Sequence, residues 1–156
     1  MVISIITITR NNPAELRKTL DSIPEFNFIE SIVVNGGDNP VPADLPKLHN
    51  GIIINEKDKG IADAFNKGVK ASSGDFVMFL NSGDILIDKN YLNQAMSILG
   101  EKKEFYFVHS NILYADAIGG ELIVKPSLKN SGRGIKYLHP SMIVKKEVFN
   151  TVGLFN

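Results

Sequence analysis

The sequence has no cysteine. That excludes a disulfide framework, a thiolate zinc site and a cysteine nucleophile, and it is compatible with a reducing compartment. There is no excess of either charge: 17 Lys and Arg face 17 Asp and Glu. A nucleic-acid-binding face normally shows as a basic surplus, so the balance argues against that class while leaving room for a local basic pocket. Long hydrophobic runs are absent, and no stretch reaches the ~20 apolar residues of a membrane span. The apolar start, Met1 to Thr9, lacks a basic leader and runs straight into a polar turn, so it reads as a first strand and not as a signal peptide. No internal repeat, low-complexity tract or linker occurs. The G-x-x-x-x-G-K-[ST] and G-x-G-x-x-G loops are missing too, which weighs against simple nucleotide hydrolases and dehydrogenases.

What is present fits one domain over residues 1–156, with 44% hydrophobic and 22% charged residues, enough for a sizeable core. Val2 to Ile8 is β-branched almost throughout, the mark of a central strand. Pro13 suits the first turn of a helix capped by Asn12, and Pro24 ends that helix. Ile29 to Val34 reads as a second buried strand ending in the Gly-rich turn Asn35 to Pro40. Val41 to Asn50, with two prolines, reads as an irregular crossover. Gly51 to Ile54 is a short third strand. A charged loop, Asn55 to Gly60, then precedes a helix whose apolar face is Ile61, Ala64, Phe65 and Val69. After a central strand at Phe76 to Leu80, Asp88 is placed as a helix cap, and Tyr91, Leu92, Ala95, Met96 and Leu99 form a core stripe. Phe105 to His109 is a further strand. Asn111 to Ala115 and Glu121 to Val124 form a hairpin. Residues 126–134, basic at Lys129 and Arg133, form a polar loop. Ser141 to Val144 is a last strand and Lys146 to Val152 a short helix. This order predicts an α/β fold: a mostly parallel central sheet with helices on both faces and a β-rich C-terminal part.

The chain is organised around Phe76 to Asp84. A strand of large apolar residues stops at Asn81-Ser82-Gly83-Asp84, a small polar turn ending in a carboxylate. In open α/β sheets ligands bind beyond the carboxyl ends of the strands. Asp84 there can hold a divalent cation against phosphates; alternatively it closes an Asx-type turn on its own backbone. Polar segments also follow two other strands, at Thr9 to Asn11 and Asn35 to Asp38, and a fourth, Glu56 to Gly60, precedes a helix. If the strands are parallel neighbours, all four gather on one rim.

These residues resemble a family. Ile5 to Asn11, Val33-Val34-Asn35-Gly36-Gly37-Asp38, Asp58 to Gly68, Ser73-Gly74-Asp75, Leu80 to Asp84, His139-Pro140-Ser141-Met142 and Val152 to Asn156 follow one another as in family 2 glycosyltransferases of the GT-A fold. The order and spacing are similar to the bacterial branch that builds surface polysaccharides. The resemblance implies transfer of a sugar, with inversion, from a nucleotide-diphosphate donor to a saccharide or lipid-linked acceptor. It implies Thr9, Asn35, Gly36 and Gly37 around the nucleoside, Asp58 and Asp63 lining the donor pocket, and Asn81 to Asp84 in place of a metal-binding D-x-D, with Asp84 binding Mg²⁺ or Mn²⁺. His139 is expected at the diphosphate, metal or acceptor, or else as a strand-entry residue bonding backbone. Asn66 is expected either to fix a loop or to touch ligand.

The departures from the family pattern are Ile8 for Pro, Arg10 for an aromatic residue, Asn35 for Asp, and a single acid in the D-x-D. The family's catalytic carboxylate falls at or beyond Asn156, so no base is named and truncation at the C-terminus stays open. The location implied is cytoplasmic, at most peripheral to the inner membrane. Two other readings remain. One is a non-catalytic nucleotide-sugar-binding domain; the other is a sugar-phosphate nucleotidyltransferase, whose Gly-rich basic first loop is absent here.

Overall fold

The computed structural model describes residues 1–42, 44–45, 48, 50–126 and 138–156. Its centre is a six-stranded sheet. The strands are β1 (Ile3–Thr9), β2 (Ile29–Asn35), β3 (Ile52–Asn55), β4 (Phe76–Phe79), β5 (Phe107–Val108) and β8 (Ile143–Lys145), in the order β3-β2-β1-β4-β8-β5. Strands β1 to β4 run parallel, and β8 enters antiparallel to both β4 and β5. The hairpin of β6 (Ile112–Ala115) and β7 (Glu121–Val124) forms a separate two-stranded sheet.

The apolar runs of β1 and β2 are continuous because both faces of the sheet are covered. Ile3 and Ile5 pack on one side with Leu16 and Leu20 of α1 (Pro13–Ser22) and with Leu92, Ala95 and Leu99 of α3 (Asn90–Glu101). Ile6 packs on the other side with Ala64, Phe65 and Val69 of α2 (Ile61–Ala71). Alternation along each strand sends neighbouring side chains to opposite faces, and each fully buried aliphatic chain stabilises the fold by roughly 1.5–3 kcal/mol relative to exposure. Helix α2 lies close on β1: a Cβ added to Gly68 would stand 2.3 Å from a methyl of Ile6.

Local signals account for most boundaries. The Asn12 side chain accepts the Glu15 amide at 3.3 Å and Pro13 opens α1; Ile23 leaves the helix in extended conformation before Pro24. Asp88 behaves differently from a cap. Helix α3 starts at Asn90 with Lys89 at the cap position, and the Asp88 carboxylate accepts the Asn90 amide one step outside, at 2.9 Å. The expected strand from Ser141 begins two residues later; His139–Ser141 is instead a 3₁₀ turn leading into β8. A short helix, α4 (Val148–Val152), follows β8. No helix among the described residues is long and apolar enough to cross a membrane.

Candidate functional site

The strand register sets the site. Thr9, Asn35 and Asn55 are lateral partners at the carboxyl ends of β1, β2 and β3. The chain beyond β4 continues the ladder, with the Leu80 and Ser82 amides donating to the Ile6 and Ile8 carbonyls at 3.1 Å each. The four polar segments therefore share one rim, and Asn35 to Asp38 and Asn81 to Asp84 flank the two sides of the β1 end.

On the α1 side of that rim, Thr9 and Asn35 line a cavity of about 170 Å³ with Asn11, Asn12, Leu16 and the 39–42 segment. Asn35 is 4% exposed and fully engaged. Its amide donates to the Asn39 carbonyl at 2.7 Å and to Asn55 Oδ1 at 2.9 Å, and its oxygen accepts the Gly37 amide at 3.0 Å. An aspartate here could not make the two donated bonds, so the neutral side chain ties the β2 and β3 ends to the following loop. The Asn11 oxygen accepts the Asp38 amide at 3.1 Å. The Asp38 carboxyl is held below its usual range by hydrogen bonds from Lys57 and Asn11.

Gly36 and Gly37 are fixed by close approach. A Cβ on Gly36 would fall 1.5 Å from the Asp58 carboxylate, and one on Gly37 would fall 2.5 Å from Asn11 Oδ1. Asp58 thus lies directly over the Gly36 corner, while its other oxygen accepts the Gly60 amide at 3.0 Å. Asp63 bonds within its own loop and helix. Its carboxylate accepts the Lys59 amide at 3.0 Å and lies 3.6 Å from Lys67, and that amide hydrogen bond holds its pKa below the usual carboxylate range. Lys67 donates to the Lys57 carbonyl at 2.6 Å. Lys67 and Asp63 together fasten the 56–60 loop to α2, a task that their places on the polar side of the helix did not announce.

The other half of the rim is the Asn81–Asp84 turn. The Asp84 amide closes it onto the Asn81 carbonyl at 2.9 Å, with Gly83 at φ +101°, a left-handed value that favours glycine. Asp84 also bonds its own turn, accepting the Asn81 amide at 3.1 Å. Its other carboxylate oxygen accepts nothing among the described residues. Burial pushes the Asp84 carboxyl up; the Asn81 amide and the positive form of His139 act against that. Burial lowers the His139 imidazole, and Asp84 opposes it.

His139 stacks on Phe79 at 5.2 Å and sits 5.4 Å from the Phe65 ring. Asp84 and His139 influence each other's titration and Asn81 belongs to the Asp84 turn, so the three share one corner. The 3₁₀ turn is held from below. The Tyr91 hydroxyl donates to the Ser141 carbonyl, and the Ser141 hydroxyl is 2.8 Å from the Ser110 carbonyl and 2.9 Å from that of Leu138. Burial raises the Tyr91 hydroxyl's pKa, which keeps it a donor. The helical apolar pattern assigns Tyr91 to the core stripe alone and does not announce this bond.

Several buried polar atoms on the rim have no partner among the described residues: Thr9 Oγ1, Asn81 Oδ1, Ser82 Oγ and His139 Nε2. Buried polar groups are nearly always satisfied, so such a cluster marks where a ligand, water or ion completes the shell. Among the described residues no three His, Cys, Asp or Glu side chains converge as a cation cage. The groups of this corner, the Asp84 carboxylate, the Asn81 amide oxygen and the His139 imidazole, suit a hard divalent ion only as part of a shell shared with phosphate and water. Lys129 and Arg133 lie outside the described residues.

The sequence pattern of the family described as "Glycosyl transferase family 2" matches residues 4–114. The chain belongs to glycosyl transferase family 2. A curated family relative, the PGL/p-HBAD biosynthesis glycosyltransferase of Mycobacterium bovis, is 29% identical over 169 aligned positions, covering 98% of this chain and 62% of the relative. The putative glycosyltransferase EpsH of Bacillus subtilis is 27% identical over 109 positions, 65% of this chain and 31% of EpsH. Among solved structures, S. aureus TarS 1-349 in complex with UDP superposes with a TM-score of 0.73 at 19% identity, over 99% of this chain and 50% of TarS. The mannosyltransferase PcManGT from Pyrobaculum calidifontis, in complex with GDP-Man and Mn²⁺, gives 0.69 at 16% identity, over 99% of this chain and 47% of PcManGT. The fold is GT-A. The chain spans about half to three-fifths of the length of these longer proteins, apart from EpsH, of which it spans less.

Proposed function

We propose that this domain holds a nucleoside-diphosphate sugar along the carboxyl rim of its sheet and transfers the sugar, with inversion, to a hydroxyl of a saccharide or lipid-linked acceptor in surface polysaccharide synthesis. The observation that carries the reading is the cluster of buried polar atoms on that rim, at Thr9, Asn81, Ser82 and His139, that have no partner among the described residues. The nucleoside lies by Thr9, Asn35, Gly36 and Gly37, in the cavity on the α1 side. Asp58 stands over Gly36, where the ribose passes toward the diphosphate. The diphosphate meets Asn81, Asp84 and His139. TarS is described with UDP and UDP-GlcNAc and PcManGT with GDP-Man and Mn²⁺, which supports a donor of this class.

Asp84, with Asn81 and His139, would hold Mg²⁺ or Mn²⁺ through the donor's phosphates. Such an ion supplies charge neutralisation as the leaving group departs. In the transfer itself the acceptor oxygen forms a bond to the anomeric carbon as the bond from that carbon to the phosphate oxygen breaks. The electron pair leaves on the nucleoside diphosphate, and the acceptor proton passes to a general base. Asp63, engaged with its own loop, supports the donor pocket through Lys59 and the Asp58 turn.

The test is a thermal-shift panel of UDP-, GDP- and dTDP-sugars with and without Mn²⁺. A cognate donor at about 100 times its Kd adds roughly 2.7 kcal/mol to the folded state, and non-cognate sugars add little. Absence of any shift across the panel sinks the reading. The single acid at the D-x-D position favours a second reading, a domain that binds donor without transferring sugar. Release of free nucleoside diphosphate in the presence of acceptor separates the two.

A further inference from the structure

Asn66 lies on α2, off the apolar face, and takes no part in the rim. Its side-chain amide donates to the Phe155 carbonyl at 2.8 Å, and its oxygen accepts the Phe155 amide at 2.9 Å. A carboxamide offers one donor and one acceptor side by side, so this one side chain grips both backbone polar groups of a residue 89 positions away. The grip brings the segment after α4 back over the sheet, with Gly153 at φ +87° making the turn.

The ring of Phe155 is then inserted against Phe65 and Phe79, each at 5.3 Å. It meets the His139 imidazole edge-on at 6.2 Å and 89°. With Phe79 stacked on His139 and Phe65 tilted against it, three aromatic rings surround the imidazole. Among the described residues no hydrogen bond orients this imidazole, so the fit of its aromatic walls helps set its plane. Nε2 of that ring is buried and has no partner among the described residues.

We propose that Asn66 is a positioning residue for sugar transfer: by clamping the backbone of Phe155 it sets the aromatic wall that holds His139 in place at the Asp84 corner. The proposal rests on the reading that this corner receives the donor diphosphate. Asn66 acts through Phe155 and touches no substrate.

The chain has only three histidines, so the His139 ring can be followed by NMR. In the parent, ring currents from the aromatic walls displace its Cε1–H resonance from the random-coil position. Asn66→Ala is expected to return that resonance at least halfway, as is Phe155→Leu, with the His109 signal unmoved. Donor affinity, measured by calorimetry with whichever of UDP-glucose, GDP-mannose and dTDP-glucose stabilises the parent most, should fall about 10–100-fold in Asn66→Ala, the usual cost of losing an outer support. The Asn66→Ala/Phe155→Leu double variant should bind no more weakly than Phe155→Leu alone. If Asn66→Ala does not fold, Asn66→Asp keeps the acceptor for the Phe155 amide, loses the donated bond, and serves in the same comparisons. An unmoved His139 resonance with donor binding intact overturns the clamp and the positioning role and leaves the reading of the corner standing. A moved resonance with unchanged affinity, or additive losses in the double variant, makes Asn66 a mere tie for the tail and overturns the positioning role. A parent that binds none of the sugars overturns the reading of the corner and the positioning role with it.

Discussion

The hydroxyl of Thr19, in the middle of α1, accepts the Gly83 amide at 2.9 Å and lies 3.2 Å from the Asn81 carbonyl. One fully buried side chain thus ties the helix to the turn that carries Asp84. Thr19→Val keeps the shape, removes the hydroxyl and leaves the Gly83 amide buried without its partner. The expected cost is about 1–3 kcal/mol, read as a fall in Tm of roughly 2–4 °C per kcal/mol for a chain of this size. Donor affinity should fall further than Tm alone accounts for, because Asp84 loses its anchor. Calorimetric unfolding together with donor titration checks both.

Gly36→Ala should cripple the nucleoside corner. The new methyl would lie 1.5 Å from the Asp58 carboxylate, so either the β2 turn or the 56–60 loop must move. Overpacking of this kind costs about 1–3 kcal/mol. Adding Asp58→Gly to Gly36→Ala should recover the stability by removing the clash, without restoring donor binding. Recovery of binding in the double variant would show that Asp58 is only a loop residue.

At the opposite end of the sheet, Glu30 ties β2 to β1 and to the chain entering β4. Burial alone would raise its carboxyl. Hydrogen bonds from the Ser4 hydroxyl and from the Ser73 amide and hydroxyl, the last two at 2.9 and 2.7 Å, outweigh that and hold it below the ordinary glutamate value. A depressed folded-state pKa contributes stability that is present above the unfolded value, ~4.3, and lost as pH falls through the folded one. The stability gap between the parent and Glu30→Gln should therefore be constant near neutrality and shrink below about pH 4. Chemical denaturation of both proteins across that range measures it, and a gap that widens in acid would reverse the sign.

Strands β1, β2 and β4 were legible in the sequence because burial on both faces leaves unbroken apolar runs. The common rim was legible because polar residues stop those runs at equivalent points. The place of β8 was not. Its antiparallel insertion beside β4 depends on a pairing with residues some 70 positions away, and Ile143–Lys145 is too short to signal it. Nor could a threonine inside α1 announce that it reaches Gly83, or Lys67 that its amine caps loop carbonyls. Both lie at helical positions whose neighbours are set only by the tertiary fold. The Asn66 side chain settled one alternative: it fixes a segment of chain, the one at Phe155.

The central claim is that the Asp84 corner takes the diphosphate of a sugar donor together with a divalent ion. Calorimetric titration of a nucleotide sugar into the parent and Asp84→Asn, each with and without Mn²⁺, tests it most directly, since the substitution removes the charge and keeps the volume. Binding to the parent is expected to strengthen at least tenfold with Mn²⁺, and the Asp84→Asn protein to stay folded and lose that Mn²⁺-dependent gain. Equal Mn²⁺-dependent binding by the two proteins would contradict it.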